Sequence, residues 1–145
     1  MSHLARILVV CTGNAARSQM AEAFLAGIAG VAAASAGTHP AGVHPLTVRV
    51  LAEVGIDWSG ARSKPITEML DREWDLVLTV CDHAREACPV LPGARRTAHE
   101  GFPDPAAVSG ADEERLDAFR EVRDAIAARM ATVATELLTE RATAS

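Results

Sequence analysis

The feature that most constrains this fold is an apolar run followed by a cysteine, five residues and an Arg-Ser pair. Residues 7–10 read Ile-Leu-Val-Val, residues 11–18 read Cys-Thr-Gly-Asn-Ala-Ala-Arg-Ser, and a helix-prone run follows from Gln19. This order predicts a buried strand, a tight loop at Gly13 and Asn14, and a helix. Backbone N–H groups of such a loop, together with the N-terminus of the helix, form a binding site for a tetrahedral oxyanion.

The loop also supplies candidate reactive groups. Arg17 carries a planar fork of donors that matches two anion oxygens, and Cys11 lies at the strand end in the same positive field, which favours a thiolate nucleophile. Ser18 is placed to hydrogen-bond this thiolate. A cysteine at the end of a strand is more often a small buried residue, but the strand–loop–helix context favours the nucleophile. The predicted oxyanion-binding residues are Thr12, Gly13, Asn14, Ala15, Ala16, Arg17 and Ser18.

The rest of the chain alternates apolar runs with amphipathic stretches, which predicts an α/β fold with a parallel sheet flanked by helices, in one domain spanning residues 1–145. The predicted strands are 6–10, 31–35, 63–66, 75–80 and an edge strand near 95–98. The predicted helices run from 17 or 18 to about 27, from 45 to about 54, through 69–70, and from about 112 to 138, with a frayed tail beyond. Cys11 and Cys81 both fall at the carboxyl ends of strands, where ligands of open parallel sheets bind.

Charge, hydropathy and cysteine count exclude several classes of protein. The net charge of −5 argues against nucleic acid as a partner, and no apolar run approaches the length needed to cross a membrane. The N-terminus lacks the apolar core of a signal peptide, so we expect a cytoplasmic protein. Three cysteines cannot form a fully paired disulfide framework, and reactive thiols in a reducing compartment fit better. Nothing in the sequence requires a dimer, and we expect a monomer.

Cys81 and Cys88 enclose a helix-prone hexapeptide with Asp82 as a candidate N-cap. In a helix these cysteines would lie ~10.5 Å apart, whereas a disulfide requires Cα atoms within roughly 7 Å. A Cys81–Cys88 disulfide therefore requires the segment to unwind. One alternative is that both are buried small residues. Another is a metal site with His83 or His99, but the spacing is not that of a zinc site, and we predict no metal.

Asp104 lies in the loop sequence Phe-Pro-Asp-Pro at residues 102–105. Aspartate and proline both favour turns, so an ordinary turn is one interpretation. The other is a general acid on a stiff loop near Cys11, which would give a proton to the oxygen that leaves during nucleophilic attack. His99 could be an ordinary residue or could help to order this loop.

These residues carry a family resemblance. The segment 7–22 resembles the active-site loop of low-molecular-weight tyrosine phosphatases, as do Ser35-Ala-Gly37, residues 55–59 and 62–64, and Asp104-Pro105. The segments 79–82, 88–89 and 99–105 are more specific and resemble the thioredoxin-coupled arsenate reductases, which share this fold. The resemblance implies a four-stranded parallel sheet with helices on both faces. It also implies a relay of Cys11, Cys81 and Cys88, with a redox-active Cys81–Cys88 disulfide, and Asp104 as the acid.

Two positions depart from the family pattern. Ala16 stands where some relatives carry a second loop cysteine, which should not affect the relay. Some relatives bind potassium through residues that correspond to Asn14, Glu22 and Ser35 together with a carboxylate, and Lys64 stands here in place of that carboxylate. An ammonium group would repel a cation and could pair with Glu22, so we expect no potassium requirement and no cofactor.

The resulting prediction is reduction of arsenate to arsenite, with thioredoxin as the reductant and with phosphate or sulfate able to occupy the oxyanion site. The alternative is a phosphatase that hydrolyses phosphoesters through Cys11, Arg17 and Asp104 and has no use for the cysteine pair. Such phosphatases often place a tyrosine beside the acid loop, whereas this chain has no tyrosine. A third alternative is a thiol sensor that switches a partner, which would oxidise once and stop.

Overall fold

The computed structural model describes residues 4–82, Cys88 and residues 91–144. Its strands are β1 (Ala5–Cys11), β2 (Val31–Gly37), β3 (Leu76–Thr79) and β4 (Thr97–His99). Its α-helices are α1 (Arg17–Ala26), α2 (Pro45–Ala52) and α3 (Asp112–Ala144), and two short 3-10 helices span Ile66–Met69 and Pro105–Ala107.

The strands form one parallel sheet in the order β2-β1-β3-β4, which confirms the predicted α/β fold with a four-stranded sheet. All four residues of β3 are buried, because both faces of a central parallel strand are covered. The register places Cys11 opposite Gly37, and Thr79 opposite His99. The carboxyl ends of all four strands therefore meet at one edge of the sheet, where the candidate site lies.

The helices cover the sheet with apolar stripes. Helix α3 buries Leu116, Phe119, Ile126, Met130 and Leu137, which recur at helical spacing and pack with β1 and α1 in a single core. Helix α2 begins with Pro45 at its first position, and the His44 ring accepts a hydrogen bond from Leu46 N at 3.0 Å. In the described part of the chain, no helix is both long enough and apolar enough to cross a membrane.

Two sequence predictions about these elements were wrong. Residues 63–66 form no strand: Gly37 N donates to Lys64 O at 2.8 Å, but only an isolated bridge joins Gly37 and Pro65. Pro65 has no N–H with which to extend a ladder, and it opens a 3-10 helix instead. The end of α3 does not fray after residue 138, because residues 139–144 contain no helix breaker and Glu140 pairs with Arg96.

Other boundaries moved by a few residues. Helix α1 ends at Ala26 rather than near residue 27, α2 ends at Ala52, and the edge strand is 97–99 rather than 95–98. The predicted helix between Cys81 and Cys88 runs through residues 83–87, which lie outside the described residues.

Candidate active site

The oxyanion loop joins β1 to α1 and surrounds the sulfur of Cys11. Cys11 is the last residue of β1 and is 2% exposed. Its Sγ lies 2.8 Å from Ser18 Oγ and 3.2 Å from the backbone nitrogen of Asn14, which donates to it. Ser18 Oγ accepts a hydrogen bond from Asn14 Nδ2 at 2.7 Å, which leaves the serine proton available to the sulfur. Both groups that contact the sulfur can donate a hydrogen bond to it.

Asn14 organises this loop through its side chain and its backbone. It is fully buried and adopts φ = 48°, a left-handed conformation that asparagine tolerates better than most residues. Its Nδ2 donates to Ser18 Oγ and also to Ser35 Oγ at 2.9 Å. Its Oδ1 accepts from Gln19 Nε2 at 3.0 Å and from Lys64 N at 2.9 Å. One residue thus joins the loop to α1, β2 and the segment around Lys64.

The end of β2 presses against the same loop at Gly37. A Cβ atom at this position would lie 2.6 Å from Thr12 O and 3.0 Å from Asn14 N, so only glycine fits. The glycine of Ser35-Ala-Gly37, a segment that resembles the phosphatase family, is therefore required in this chain by its close contact with the oxyanion loop.

Gln19 is a supporting residue that the sequence analysis did not single out. Its fully buried amide donates from Nε2 to Asn14 O and to Arg62 O, both at 3.1 Å, and its Oε1 accepts from Trp58 Nε1 at 2.8 Å. The available signal was a polar residue directly after the Arg-Ser pair on the first turn of α1, a position that faces the loop.

Lys64 stands where the sequence predicted it, beside Glu22. Its Nζ lies 3.8 Å from Glu22 Oε1, and the two side chains are only 16% and 17% exposed. Ser35 Oγ donates to the same carboxylate oxygen at 2.6 Å. The ammonium group therefore lies against the carboxylate that would otherwise be available to a cation.

A cavity of about 530 Å³ opens in front of the loop. It is lined by Thr12, Arg17, Cys81, Asp82, Gly101, Phe102, Pro103 and Asp104. Cys81 Sγ lies 3.3 Å from Thr12 Oγ1, so the second cysteine meets the oxyanion loop although 69 residues separate them. The strand ends and loops thus bring Cys81, Arg17 and Asp104 to one cavity, beside Thr12 of the oxyanion loop. Cys11 precedes Thr12 in the chain and is itself buried, so it does not line this cavity.

The guanidinium of Arg17 joins the oxyanion loop to the acid loop. Its Nη1 donates to Phe102 O at 3.2 Å, and its Nη2 lies 3.9 Å from Asp104 Oδ2. Asp104 also accepts from Ala106 N at 3.0 Å and so caps the 3-10 helix that follows. The turn and the acid interpretations of Asp104 are therefore compatible, since one carboxylate oxygen caps and the other faces Arg17.

The three cysteines are thiols in this structure, with no disulfide between them. Cys81 is 4% exposed, whereas Cys88 is only partly buried. Burial raises the pKa of the Cys88 thiol above its ordinary value. Cys88 is therefore predominantly protonated at neutral pH.

His99 is the last residue of β4 and lies against the turn that follows β3. Its Nδ1 is 2.8 Å from Thr79 Oγ1 and its Nε2 is 2.9 Å from Asp82 Oδ1. The His99 ring therefore contacts the residues on both sides of Val80 and Cys81. Among the described residues, no group of three or more His, Cys, Asp or Glu side chains could hold a metal ion, and His83 lies outside that part of the chain.

Known proteins share both the sequence and the fold. The model for low molecular weight phosphotyrosine protein phosphatase matches residues 6–143. An arsenate reductase of Halalkalibacterium halodurans is 43% identical over 130 residues, which cover 88% of this chain and 94% of that protein. An arsenate reductase solved in a phosphate-binding state aligns with a TM-score of 0.75 and 28% identity over 92% of this chain and 99% of that one.

A thioredoxin-dependent arsenate reductase of Corynebacterium glutamicum aligns with a TM-score of 0.71 and 31% identity. That alignment covers 96% of this chain and 64% of the other. The family match extends over nearly the whole sequence, from residue 6 to residue 143. The chain belongs to the low molecular weight phosphotyrosine protein phosphatase family.

Proposed function

We propose that this chain reduces arsenate to arsenite by a relay of Cys11, Cys81 and Cys88. The observation that carries the proposal is the position of Cys81: its sulfur lies 3.3 Å from Thr12 Oγ1, in the cavity that Arg17 and Asp104 also line. Hydrolysis requires one thiol, one arginine and one acid, whereas a second thiol at the same cavity provides a reductant. Similarity to arsenate reductases supports this assignment.

The first step is nucleophilic substitution at arsenic. The loop amides of residues 12–17 and the guanidinium of Arg17 bind the arsenate oxygens, for which Arg17 leaves Phe102 O. The Cys11 thiolate attacks arsenic and forms an S–As bond, while one arsenate oxygen leaves as water with a proton from Asp104. Arsenic remains in oxidation state five.

The second step transfers two electrons. The Cys81 thiolate attacks the Cys11 sulfur, an S–S bond forms, and the S–As electron pair stays on arsenic, which leaves as arsenite. Cys88 then attacks the Cys81 sulfur and releases the Cys11 thiolate, which leaves a Cys81–Cys88 disulfide. A dithiol reductant of the thioredoxin class reduces this disulfide and supplies the two electrons that one turnover consumes. The thioredoxin-dependent relative supports that choice of reductant.

The second candidate function is hydrolysis of phosphoesters. It is favoured by the geometry of Cys11, Arg17 and Asp104, which is sufficient for formation and hydrolysis of a phosphoenzyme, and by the family itself. Phosphate and arsenate have similar shape and charge, so the oxyanion loop accepts both. The two functions differ in whether they need Cys81 and Cys88.

We further propose that the chain acts as a monomer, in a single domain, in the cytoplasm. The buried apolar residues of the described part pack into one core. The large apolar side chains exposed there are scattered: Leu4, Val54, Leu70 and Val108. Scattered exposed apolar residues are ordinary for a monomer.

A single-turnover experiment without reductant tests the relay. We expect the native chain and a Cys88→Ser variant each to form one arsenite per chain, and Cys11→Ser and Cys81→Ser to form none. Mass spectrometry should show a Cys81–Cys88 disulfide in the native chain and a Cys11–Cys81 disulfide in Cys88→Ser. Hydrolysis of an aryl phosphate without any arsenite would refute the reductase and leave the phosphatase.

A further inference from the structure

The turn that carries Cys81 is contacted by the side chain of His99, which hydrogen-bonds to Thr79 before the turn and to Asp82 after Cys81. Thr79, at the end of β3, pairs in register with His99 at the end of β4. The His99 ring contacts the Thr79 hydroxyl through Nδ1 and the Asp82 carboxylate through Nε2, at 2.8 and 2.9 Å. The ring therefore bridges residues 79 and 82, the two positions that flank Val80 and Cys81.

The hydrogen-bond partners of His99 determine which of its ring nitrogens carries a hydrogen. A carboxylate only accepts hydrogen bonds, so Nε2 of His99 carries the hydrogen that it donates to Asp82. Nδ1 then accepts from the Thr79 hydroxyl when the ring is neutral, or donates to it when the ring is charged. The bridge is satisfied in both protonation states, so it suits a positioning role.

The acid loop passes directly over the same bridge. A Cβ atom at Gly101 would lie 3.2 Å from His99 Nε2 and 3.6 Å from Asp82 Oδ1. Backbone bonds from Glu100 N to Thr79 O at 2.9 Å and from Phe102 N to Val80 O at 3.2 Å join the loop to the residues before Cys81. Beyond Val80, the side chain of His99 contacts the turn at Asp82.

We propose that His99 is a positioning residue for the second half of the reaction: through Asp82 it holds Cys81 against the oxyanion loop. This inference rests on the proposed relay for its catalytic meaning. It leaves the first half to Cys11, Arg17 and Asp104, none of which hydrogen-bonds His99. Loss of the bridge should therefore slow the attack of Cys81 on Cys11 and leave the binding of arsenate unchanged.

The first test measures the position of Cys81 without any turnover. In a chain whose other two cysteines are replaced by serine, iodoacetamide reports the opening of the turn, because Cys81 is only 4% exposed. Loss of one or two hydrogen bonds should raise the alkylation rate on the order of three- to tenfold in His99→Asn and in Asp82→Ala. His99→Gln can place an amide N–H near the Nε2 position and should recover part of the protection.

Asp82→Ala keeps this test valid if a histidine variant folds poorly, since the Asp82 side chain is 90% exposed. Asp71→Ala, which also removes an exposed carboxylate, is the matched control and should not change the rate. Alkylation rates equal to the parent in both His99→Asn and Asp82→Ala would overturn the proposal.

The second test separates the two halves of the reaction in the chain with all three cysteines. We expect His99→Asn to lower the rate of arsenite release in single turnovers at saturating arsenate by a similar factor, with the half-saturating arsenate concentration unchanged. If His99→Asn raised the half-saturating arsenate concentration by as much as it lowered the rate of arsenite release, a role of His99 confined to Cys81 would be refuted. Absence of arsenite from the native chain would refute the proposed function instead, while the alkylation rates would still decide whether His99 positions Cys81.

Discussion

Replacement of Asn14 tests whether one side chain organises the oxyanion loop. Asn14→Ala removes four side-chain hydrogen bonds, to Ser18, Ser35, Gln19 and the backbone nitrogen of Lys64. At about 1 kcal/mol for each net hydrogen bond, the free energy of unfolding should fall by about 4 kcal/mol. Alanine must also adopt φ = 48°, which adds roughly 1 kcal/mol. The sum is a large part of the 5–15 kcal/mol that is typical of a domain.

A comparison of the stabilities of the alanine and glycine variants at position 14 makes this prediction specific. Asn14→Gly loses the same four bonds but accepts the left-handed conformation, so it should be more stable than Asn14→Ala by roughly 1 kcal/mol. At Ala125, an exposed position within α3, the order should be reversed, and Ala125→Gly should cost about 1 kcal/mol. Urea unfolding of the four proteins gives all the required free energies.

Phosphate binding provides the functional readout of the same variants. Bound phosphate should protect Cys11 from alkylation by iodoacetamide, and this protection should weaken in both Asn14 variants because the loop amides lose their fixed orientation. Asn14 does not organise the loop as described if both variants lie within about 1 kcal/mol of the native stability, or if glycine is no better than alanine at this position.

Three further predictions concern other contacts. Because the Lys64 ammonium lies against Glu22, arsenate reduction should proceed at the same rate in sodium and potassium chloride, and a potassium-specific increase would contradict this. Because burial raises the pKa of Cys88, multiple turnover limited by Cys88 should accelerate as pH rises towards 9, whereas arsenite release in a single turnover should not share that dependence. Hydrogen bonds from Arg120 lower the pKa of Glu53 to about 2. Glu53→Gln should therefore destabilise the chain at pH 7, and urea unfolding should show the difference from native disappearing as pH falls from 4.5 to 2.

The sequence was sufficient to predict the elements whose structure depends on residues close together in the chain. The strand, loop and helix around Cys11 follow from an apolar run, turn-forming residues and helical spacing, all within 20 residues. The contact of Cys81 with the oxyanion loop followed from one general property of parallel sheets, that carboxyl strand ends share an edge. Asp104 had two interpretations in the sequence because the same carboxylate both caps a helix and faces Arg17.

The remainder depended on contacts between distant segments. The bonds of Gln19 to Arg62 and Trp58 join positions about 40 residues apart and leave no local pattern. The strand predicted at 63–66 failed because Pro65 interrupts the ladder after a single bridge, although the neighbouring residues suit a strand. The bridge of His99 to Asp82 depends on the register of β3 and β4, which the sequence does not specify.

The proposed relay requires the three cysteines to act in succession. Its most direct test is arsenate-dependent consumption of NADPH in the presence of thioredoxin and thioredoxin reductase, compared between the native chain and Cys88→Ser. The relay predicts sustained consumption by the native chain and its loss in Cys88→Ser, although that variant still forms one arsenite per chain. Sustained consumption by Cys88→Ser, or hydrolysis of an aryl phosphate as the only activity of the native chain, would contradict the relay.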